Sequence, residues 1–245
     1  MKLRKVYEKL RGVKDTLRHP YCAAVIVAAG TANRMGGTEK ILAELDGQTV
    51  IARAVEAFEQ SALVDEIVVV TRQELLGQVS ELAAPYSKVR IVVQGGDTRA
   101  KSVMAGLDAV SPDTELVAVH DGARPLVSHE VLENTLRKAA KFGAAAPAIP
   151  VKDTIKVSRS GAVDSTPDRS RLYAVQTPQV FDFDLLRGAM QKAVENGSEL
   201  TDDCSAVEAI GMKVQLTPGS EENLKITTPL DLHLAELILK GRRAR

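Results

Sequence analysis

The chain has 245 residues, of which 44% are apolar and 26% charged, a composition typical of globular proteins. Its 32 Lys and Arg residues balance its 32 Asp and Glu residues, so no bulk field would draw it to nucleic acid. Trp is absent and aromatic residues make up only 3%, which argues against binding single strands by base stacking.

The cysteine content and the apolar runs set the expected compartment. Cys22 and Cys204 are too few for a disulfide framework and show no metal-ligand spacing. No apolar run approaches the ~20 residues that a membrane helix needs, and the N-terminus lacks the apolar stretch of a signal peptide. We therefore expect a cytoplasmic protein in a reducing environment, with no membrane partner.

The first predicted element is an amphipathic helix over residues 1–20. Seven Lys or Arg residues stand there against two acids, and six apolar residues recur at helical spacing. Pro20 is a plausible stop. We expect a separate N-terminal extension that packs on the domain or on a dimer partner, with binding to a membrane surface as the alternative.

From residue 21 onward, strands and helices alternate within a single predicted domain, 21–245. The expected strands are "CAAVIVAAG", "DEIVVVT", "KVRIVVQG", "ELVAVHDG" and "AAAPAIPV". The expected helices run from Thr49 to Gln60, from about Gln73, from Asp97 to about Val110, and from Ser128. Continuous apolar runs indicate strands buried on both faces. The alternation predicts a Rossmann-like α/β domain with a mostly parallel twisted sheet and helices on both faces.

This alternation of strands and helices ends at Val151. Residues 151–176 carry no helical period, and we predict a hairpin or a projecting β-arm there. The later elements are helices at Asp184–Asn196 and Asp202–Ile210, strands in "KVQLTPG" and "NLKIT", and a last helix that begins at Thr228-Pro229. Thr as N-cap followed by Pro in the first turn favours that start.

The polar segments that follow the strands predict where a ligand binds, because open parallel sheets bind ligands beyond their carboxyl ends. The loop from Gly30 to Lys40 combines glycines with two cations, Arg34 and Lys40, which suits a polyphosphate. A solvated basic loop is the alternative. Ala32 stands where a dinucleotide fingerprint needs glycine, so a dehydrogenase site is disfavoured. His120 precedes Asp121 in a strand and should point to the opposite face, which predicts a structural histidine.

Motifs along the chain add a resemblance. "AAGTANRMGGTEK" resembles the signature loop of sugar-phosphate and polyol-phosphate nucleotidyltransferases. "VHDGARP", "VKDTIK", "QTPQVF", "TDDCSAVEAIG" and "NLKITTPLDL" are similar, in order, to blocks of one such family, the 2-C-methyl-D-erythritol 4-phosphate cytidylyltransferases. The resemblance implies transfer of a cytidylyl group from CTP to methylerythritol 4-phosphate, with release of pyrophosphate, in non-mevalonate isoprenoid biosynthesis.

The same resemblance implies roles for individual residues. Arg34 and Lys40 would stabilise the transition state, and Lys225 would hold the incoming phosphate. The residues implied to contact CTP are Ala28, Ala29, Gly30, Gly96, Asp97, Ser102 and Asp121. The residues implied to act on the polyol phosphate are Arg124, Thr154, Arg169, Thr177 and Thr201. Mg²⁺ would be bound mainly through the CTP phosphates, with no dedicated protein ligands.

The arm would have a further role by resemblance. It would embrace a second subunit to make a homodimer and carry Thr154 and Arg169 into the partner's site. Plain alternatives remain for several residues. Arg124 would brace its own loop, Thr177 and Thr201 would cap helices, and Lys225 would be a solvated lysine at a strand end.

Three features depart from the family pattern. Ala32 replaces the second glycine, Glu39 replaces the proline before Lys40, and the segment between Arg34 and Lys40 is one residue short. These departures keep two other functions open. One is the same transfer to ribitol 5-phosphate, and the other is a non-catalytic protein that binds a nucleotide.

Overall fold

The computed structural model describes residues 19–30, 39–198 and 200–244. Most of the predicted N-terminal extension, residues 1–18, lies outside the described residues, as do Arg34 and Ala32 of the glycine-rich loop. The helix predicted at the N-terminus and the path of that loop therefore stay predictions.

The described residues form twelve strands and seven α-helices. The strands are β1 (Cys22–Val27), β2 (Glu44–Leu45), β3 (Gln48–Thr49), β4 (Glu66–Thr71), β5 (Val89–Gln94), β6 (Leu116–Asp121), β7 (Ala144–Pro150), β8 (Val157–Arg159), β9 (Ala162–Ser165), β10 (Tyr173–Val175), β11 (Gln179–Asp182) and β12 (Gln215–Pro218). The helices are α1 (Val50–Glu59), α2 (Leu76–Ala83), α3 (Arg99–Ala109), α4 (His129–Phe142), α5 (Phe183–Glu195), α6 (Asp203–Ala209) and α7 (Pro229–Arg243). In the described part of the chain, no helix is both long and apolar enough to cross a bilayer.

The sheet confirms the predicted α/β fold. Strands β5, β4, β1 and β6 lie side by side and parallel, and β12 is parallel to β7. Separate apolar clusters cover the two faces of the sheet. Two strands run the other way: β11 is antiparallel to β6 and β7, and β10 is antiparallel to β7. The sequence did not predict these two strands, because each is only three or four residues long and neither shows a clear period.

One strand differs from its predicted environment. β1, β4 and β6 are buried on both faces, as their apolar runs indicate. β5 was expected to be buried likewise, but within the described part of the chain it pairs only with β4, and Ile91 is 46% exposed. The prediction was wrong because an apolar run does not reveal whether a strand has one neighbour or two.

Capping side chains mark four helix starts, of which the cap at Thr228 was predicted from the sequence. The side chains of Thr49, Thr98, Ser128 and Thr228 each accept a hydrogen bond from the backbone N–H three residues later. Thr228 and Asp231 complete a reciprocal capping box, with Pro229 in the first turn. These short-range bonds explain why the helix starts could be predicted from the sequence alone.

The predicted strand in "NLKIT" is absent, and residues 223–227 form an irregular segment instead. Its anchors are the Ile226 side chain, which is fully buried, and the Ile226 N–H, which donates to the Ala123 carbonyl over 2.8 Å. Ile226 packs in one cluster with Ala43 and Leu45. The segment just after Lys40 and the segment that carries Lys225 are thereby joined.

The predicted arm is an exposed hairpin made of β8 and β9. Its turn residues Ser160 and Gly161 have φ angles of 52° and 84°. Two successive positive φ angles are typical of tight hairpin turns whose twist matches that of the flanking strands. A hairpin within residues 151–176 is therefore present as predicted, although β10 in the same range belongs to the main sheet. The role of the hairpin in a dimer belongs to the proposals below.

Helix α3 lies so close to the sheet that one position must be glycine. A Cβ atom on Gly106 would lie 2.3 Å from Cγ1 of Val25 and 3.0 Å from Cγ2 of Val70, whereas one on Gly188 of α5 would have no atom within 4 Å. We predict that Gly106→Ala lowers the free energy of unfolding by about 1–3 kcal/mol through overpacking. Gly188→Ala should raise it by about 0.5–1 kcal/mol through helix propensity. Urea unfolding of both variants checks this prediction. A change in the unfolding free energy of the same sign in both variants would contradict it.

Candidate active site

Asp121 is the centre of the candidate site. It ends β6 at the carboxyl edge of the sheet and is only 9% exposed. Three cations surround its carboxylate: Lys225 Nζ at 2.8 Å from Oδ2, Arg124 Nε at 3.7 Å from Oδ2, and Arg99 Nη2 at 3.7 Å from Oδ1. We call these four residues the Asp121 cluster. Arg99 also pairs with Asp203, but the remaining excess of positive charge would suit an anionic ligand.

The cations also fix the charge of Asp121. Burial by itself raises the pKa of this carboxyl, but Lys225 and Arg99 outweigh that effect and hold the pKa at about 2. Asp121 is therefore ionised at neutral pH and accepts hydrogen bonds without donating any. Such a carboxylate suits ligand hydroxyl groups.

Lys225 is held over the site by the bonds of its neighbours. The side chain of Asn223, fully buried, donates to the Thr177 carbonyl over 2.9 Å. Arg124 donates through Nη1 to the Asn223 carbonyl over 2.7 Å. Arg124 thus braces the segment beside Lys225, whereas its plain alternative expected it to brace its own loop. The Lys225 side chain itself stays 42% exposed, so its ammonium group faces solvent as well as Asp121.

His120 has a structural role, as its place in the strand predicts. It is fully buried, with Nδ1 3.1 Å from the Thr177 hydroxyl and Nε2 3.0 Å from the Arg124 carbonyl. The Arg124 carbonyl can only accept, so Nε2 carries the proton and the Thr177 hydroxyl donates to Nδ1. The Thr177 oxygen in turn accepts the Asp121 N–H over 3.1 Å. Burial first of all lowers the pKa of His120 to about 4, which keeps the imidazole neutral.

This pKa predicts a pH dependence of stability. As the pH falls from 6.5 towards 4, His120 becomes protonated in the unfolded chain but stays neutral in the folded protein. The free energy of unfolding should therefore fall by roughly 3 kcal/mol over that range, and this contribution should be complete above pH 6.5. Urea unfolding across the range measures it. His129→Gln, at an exposed position, should keep the slope. An unchanged slope in His120→Gln would contradict the assignment.

A second part of the site lies where β1 and β5 end. A Cβ atom on Gly95 would lie 2.7 Å from both Ala29 Cβ and Ser102 Oγ, so these three residues converge. Gly96 is equally confined, because a Cβ there would lie 2.4 Å from Lys101 Cβ. The backbone at Gly95 and Gly96 therefore packs too closely against its neighbours to admit a larger side chain without displacement. Asp97 is exposed and forms an ion pair with Lys101 at 2.9 Å.

The base of the glycine-rich loop is fixed at the same edge. The Glu39 carbonyl accepts hydrogen bonds from the N–H groups of Leu42 and Ala43, and Ile41 is buried among core residues that include Ala28. Lys40, half-buried, lies within this turn. The carboxylate of Glu39 forms an ion pair with Arg72 at 2.6 Å. The acid that replaces the family's proline therefore has its own cation.

The remaining predicted residues are dispersed. Thr154 and Arg169 lie exposed on the arm, where Arg169 donates to the Lys152 carbonyl over 2.7 Å. Among the described residues, no hydrogen bond or ion pair joins either of them to the Asp121 cluster. Thr201 is exposed beside the N-cap of α6, whereas Thr177 is buried and uses its hydroxyl within the protein.

Sequence reasoning missed Arg99 and its partner Asp203. Arg99 stands within the quoted segment "QGGDTRAKS", so its position after a strand was the available signal. Its partner lies 104 residues further along the chain, and no local pattern connects the two.

A sequence profile of one family matches this chain over residues 22–241, and its description is IspD, 2-C-methyl-D-erythritol 4-phosphate cytidylyltransferase. Two bacterial enzymes of that name are similar in sequence. The one from Desulforamulus reducens is 46% identical over 224 residues, covering 89% of this chain and 96% of that protein. The one from Symbiobacterium thermophilum is 46% identical over 220 residues, covering 89% and 92%.

Solved structures agree with these sequence relatives. The 4-diphosphocytidyl-2C-methyl-D-erythritol synthase of Anaerococcus prevotii superposes with a TM-score of 0.82 at 32% identity, covering 91% of this chain and 97% of that one. The 2-C-methyl-D-erythritol 4-phosphate cytidylyltransferase of Thermus thermophilus gives a TM-score of 0.73 at 33% identity, covering 88% and 98%.

Proposed function

The chain belongs to the 2-C-methyl-D-erythritol 4-phosphate cytidylyltransferase family, and we propose that the Asp121 cluster and the neighbouring residues Ala29, Gly95, Gly96 and Ser102 form its active site. The family's reaction transfers a cytidylyl group from CTP to 2-C-methyl-D-erythritol 4-phosphate in non-mevalonate isoprenoid synthesis. The observation that carries the proposal is the set of cations around one ionised carboxylate at the ligand-binding edge of the sheet.

The chemistry needs positive charge rather than a base. The attacking oxygen belongs to a phosphate that is already anionic at neutral pH, and it must approach an anionic triphosphate. Cations placed where negative charge develops are therefore the main source of catalysis. We assign this role to Lys225, Lys40 and Arg34. Packing of Ile226 with Ala43 and Leu45 supports a shared location for the first two.

The nucleotide would bind next to these cations. Ala28, Ala29, Gly30, Gly96 and Ser102 would enclose the cytosine, since small side chains leave room for the ring and backbone groups can read its polar edge. Asp121 would accept hydrogen bonds from ribose hydroxyls, and Asp97 would lie at the edge of the same site. The convergence of Ala29, Gly95 and Ser102 supports this arrangement.

Magnesium is the expected cofactor. In phosphate sites it keeps several waters and binds through one or two carboxylates together with the phosphates of the substrate. Among the described residues, no cluster of three or more possible metal ligands is present, so the CTP phosphates and water would supply most of the ligands. When bound, the ion neutralises charge on the triphosphate.

We further propose a homodimer in which the arm completes the partner's site. The arm exposes Ile155, Val157 and Val163, which an isolated subunit would leave in water. Tyr173 and Leu216 are exposed as well, beside a groove of about 420 Å³ at the sheet edge. Arg169 and Thr154 would then reach a polyol phosphate bound near the partner's Lys225, and Arg124, Thr177 and Thr201 would contact the same substrate. A cytoplasmic location stays a prediction.

Pyrophosphate release from CTP tests the reaction. Methylerythritol 4-phosphate should support turnover, whereas ribitol 5-phosphate should not. Turnover with ribitol 5-phosphate alone would replace the proposed substrate. CTP binding in a calorimeter without turnover on either acceptor would favour the non-catalytic alternative.

Mixed dimers test the arm. Lys225→Ala and Arg169→Ala subunits should each be nearly inactive alone. If Arg169 acts in the partner's site, random mixing after subunit exchange should restore about one quarter of the wild-type activity, because half of the dimers carry one intact site. Activity that does not rise on mixing, although exchange occurs, would contradict the swapped arrangement.

A further inference from the structure

Arg99 is the cation of the site that is most firmly held. Its guanidinium donates from Nη1 and Nη2 to the two carboxylate oxygens of Asp203, over 2.5 and 2.8 Å. Such a two-pronged pair fixes the plane of the guanidinium as well as its distance. Asp203 is fully buried, so water does not compete for this bond.

Asp203 is itself fixed from the other side. The N–H groups of Asp203 and Cys204 both donate to Oε1 of Gln179, over 3.0 and 3.1 Å. The amide nitrogen of Gln179 donates to Asp202 over 2.9 Å, and Asp202 caps α6. Gln179 is buried in β11, between β6 and β7. The sheet thus sets the position of Arg99 through two intervening side chains.

The three cations around Asp121 differ in their exposure and in their other bonding partners. Lys225 is the nearest, at 2.8 Å, and is also the most exposed of the three. Under the proposed function, Lys225 holds a phosphate during the reaction, so its ion pair with Asp121 is weakened at that stage. Arg124 is committed through Nη1 to the Asn223 carbonyl. Arg99 lies 3.7 Å from Asp121 and is anchored to Asp203, which has no role in the proposed reaction.

We propose that Arg99, held by Asp203, is a positioning residue that keeps the Asp121 carboxylate oriented towards the nucleotide while Lys225 turns to the phosphate. This inference rests on the proposed function. It assigns to Arg99 an effect on CTP binding that acts through Asp121. A purely structural role, as a link between α3 and α6, would change stability alone.

The chain offers a matched control for that distinction. Arg187 of α5 forms an ion pair with Asp108 of α3 at 3.1 Å, but both side chains are about half exposed. Arg187→Gln therefore removes a link to the same helix without touching the Asp121 cluster. It should leave CTP affinity and turnover unchanged.

The experiment measures CTP affinity by calorimetry, together with KM and kcat, in full-length protein. Arg99→Gln should weaken CTP binding and raise the KM for CTP about tenfold or more, the effect of losing a charged contact. The kcat at saturating CTP should change less. Arg99→Lys keeps the positive charge but cannot donate two parallel hydrogen bonds to Asp203. Its CTP affinity should lie between those of the wild type and Arg99→Gln. Because it retains the cation, it also serves if the glutamine variant folds poorly.

A double-variant cycle identifies the route of the effect. In an Asp121→Asn background, Arg99→Gln should weaken CTP binding less than about threefold, because its target is already gone. A full tenfold effect in that background would overturn the proposal, since Arg99 would then act on the ligand directly. Wild-type affinity in Arg99→Gln would overturn it as well. Wild-type protein that binds no CTP would instead overturn the proposed function itself.

Discussion

Replacing Lys225 by alanine is expected to lower kcat/KM for CTP-dependent pyrophosphate release by at least ~100-fold, the usual cost of removing one charge-stabilising donor. The Lys225 ammonium lies 2.8 Å from Asp121 and remains accessible at the ligand edge of the sheet. The proposed reaction brings two anionic phosphates together, so loss of this cation acts on the transition state. The unfolding free energy should change little, because the side chain is 42% exposed and two arginines still face Asp121.

The control for this variant is Lys213→Ala, at an exposed position before β12. It removes the same charge from the chain and should keep wild-type kinetics. Lys225→Arg should recover part of the activity, since it restores the charge with a different shape. If Lys225→Ala is as active as Lys213→Ala, Lys225 is a solvated lysine and the assignment fails.

Replacing Lys40 by alanine is expected to cost at least ~100-fold in kcat/KM as well, again through lost stabilisation of phosphate charge. The turn that contains Lys40 is built on buried Ile41 and on two hydrogen bonds to the Glu39 carbonyl. Neither anchor uses the lysine's charge. The turn should therefore persist in the variant, and the loss should fall on catalysis.

Steady-state kinetics beside thermal unfolding measure this, with Lys141→Ala on the exposed face of α4 as the control. Glu39→Gln is an informative companion. If the ion pair with Arg72 only neutralises the Glu39 carboxylate, Glu39→Gln should lower kcat/KM less than Lys40→Ala does. A Lys40→Ala enzyme with near-normal kcat/KM would remove Lys40 from the catalytic set.

The Glu39–Arg72 pair also explains how the chain accommodates a departure from its family's pattern. An acid one residue before Lys40 was expected to stand near the triphosphate and repel it. The structure directs its carboxylate to Arg72, at the end of the neighbouring strand β4. The sequence contains both residues, but their 33-residue separation gave no reason to pair them.

Features set by neighbouring residues were readable from the sequence. Apolar runs predicted the parallel strands β1, β4 and β6, and the Thr228 cap with Pro229 predicted where the last helix begins. The motif blocks identified the family, and strand alternation predicted that His120 turns away from the ligand side. Each of these depends on residues within a few positions of one another, where backbone geometry decides which groups can meet.

Only the tertiary structure decided the rest. It determined that β5 is an edge strand, that β10 and β11 run antiparallel, and that residues 223–227 cross the site without forming a strand. It also paired Arg99 with Asp203 and committed Arg124 to the Asn223 carbonyl. These contacts join residues about 100 positions apart. Which distant groups meet depends on the order and direction of the strands, and no local pattern in the chain encodes that order.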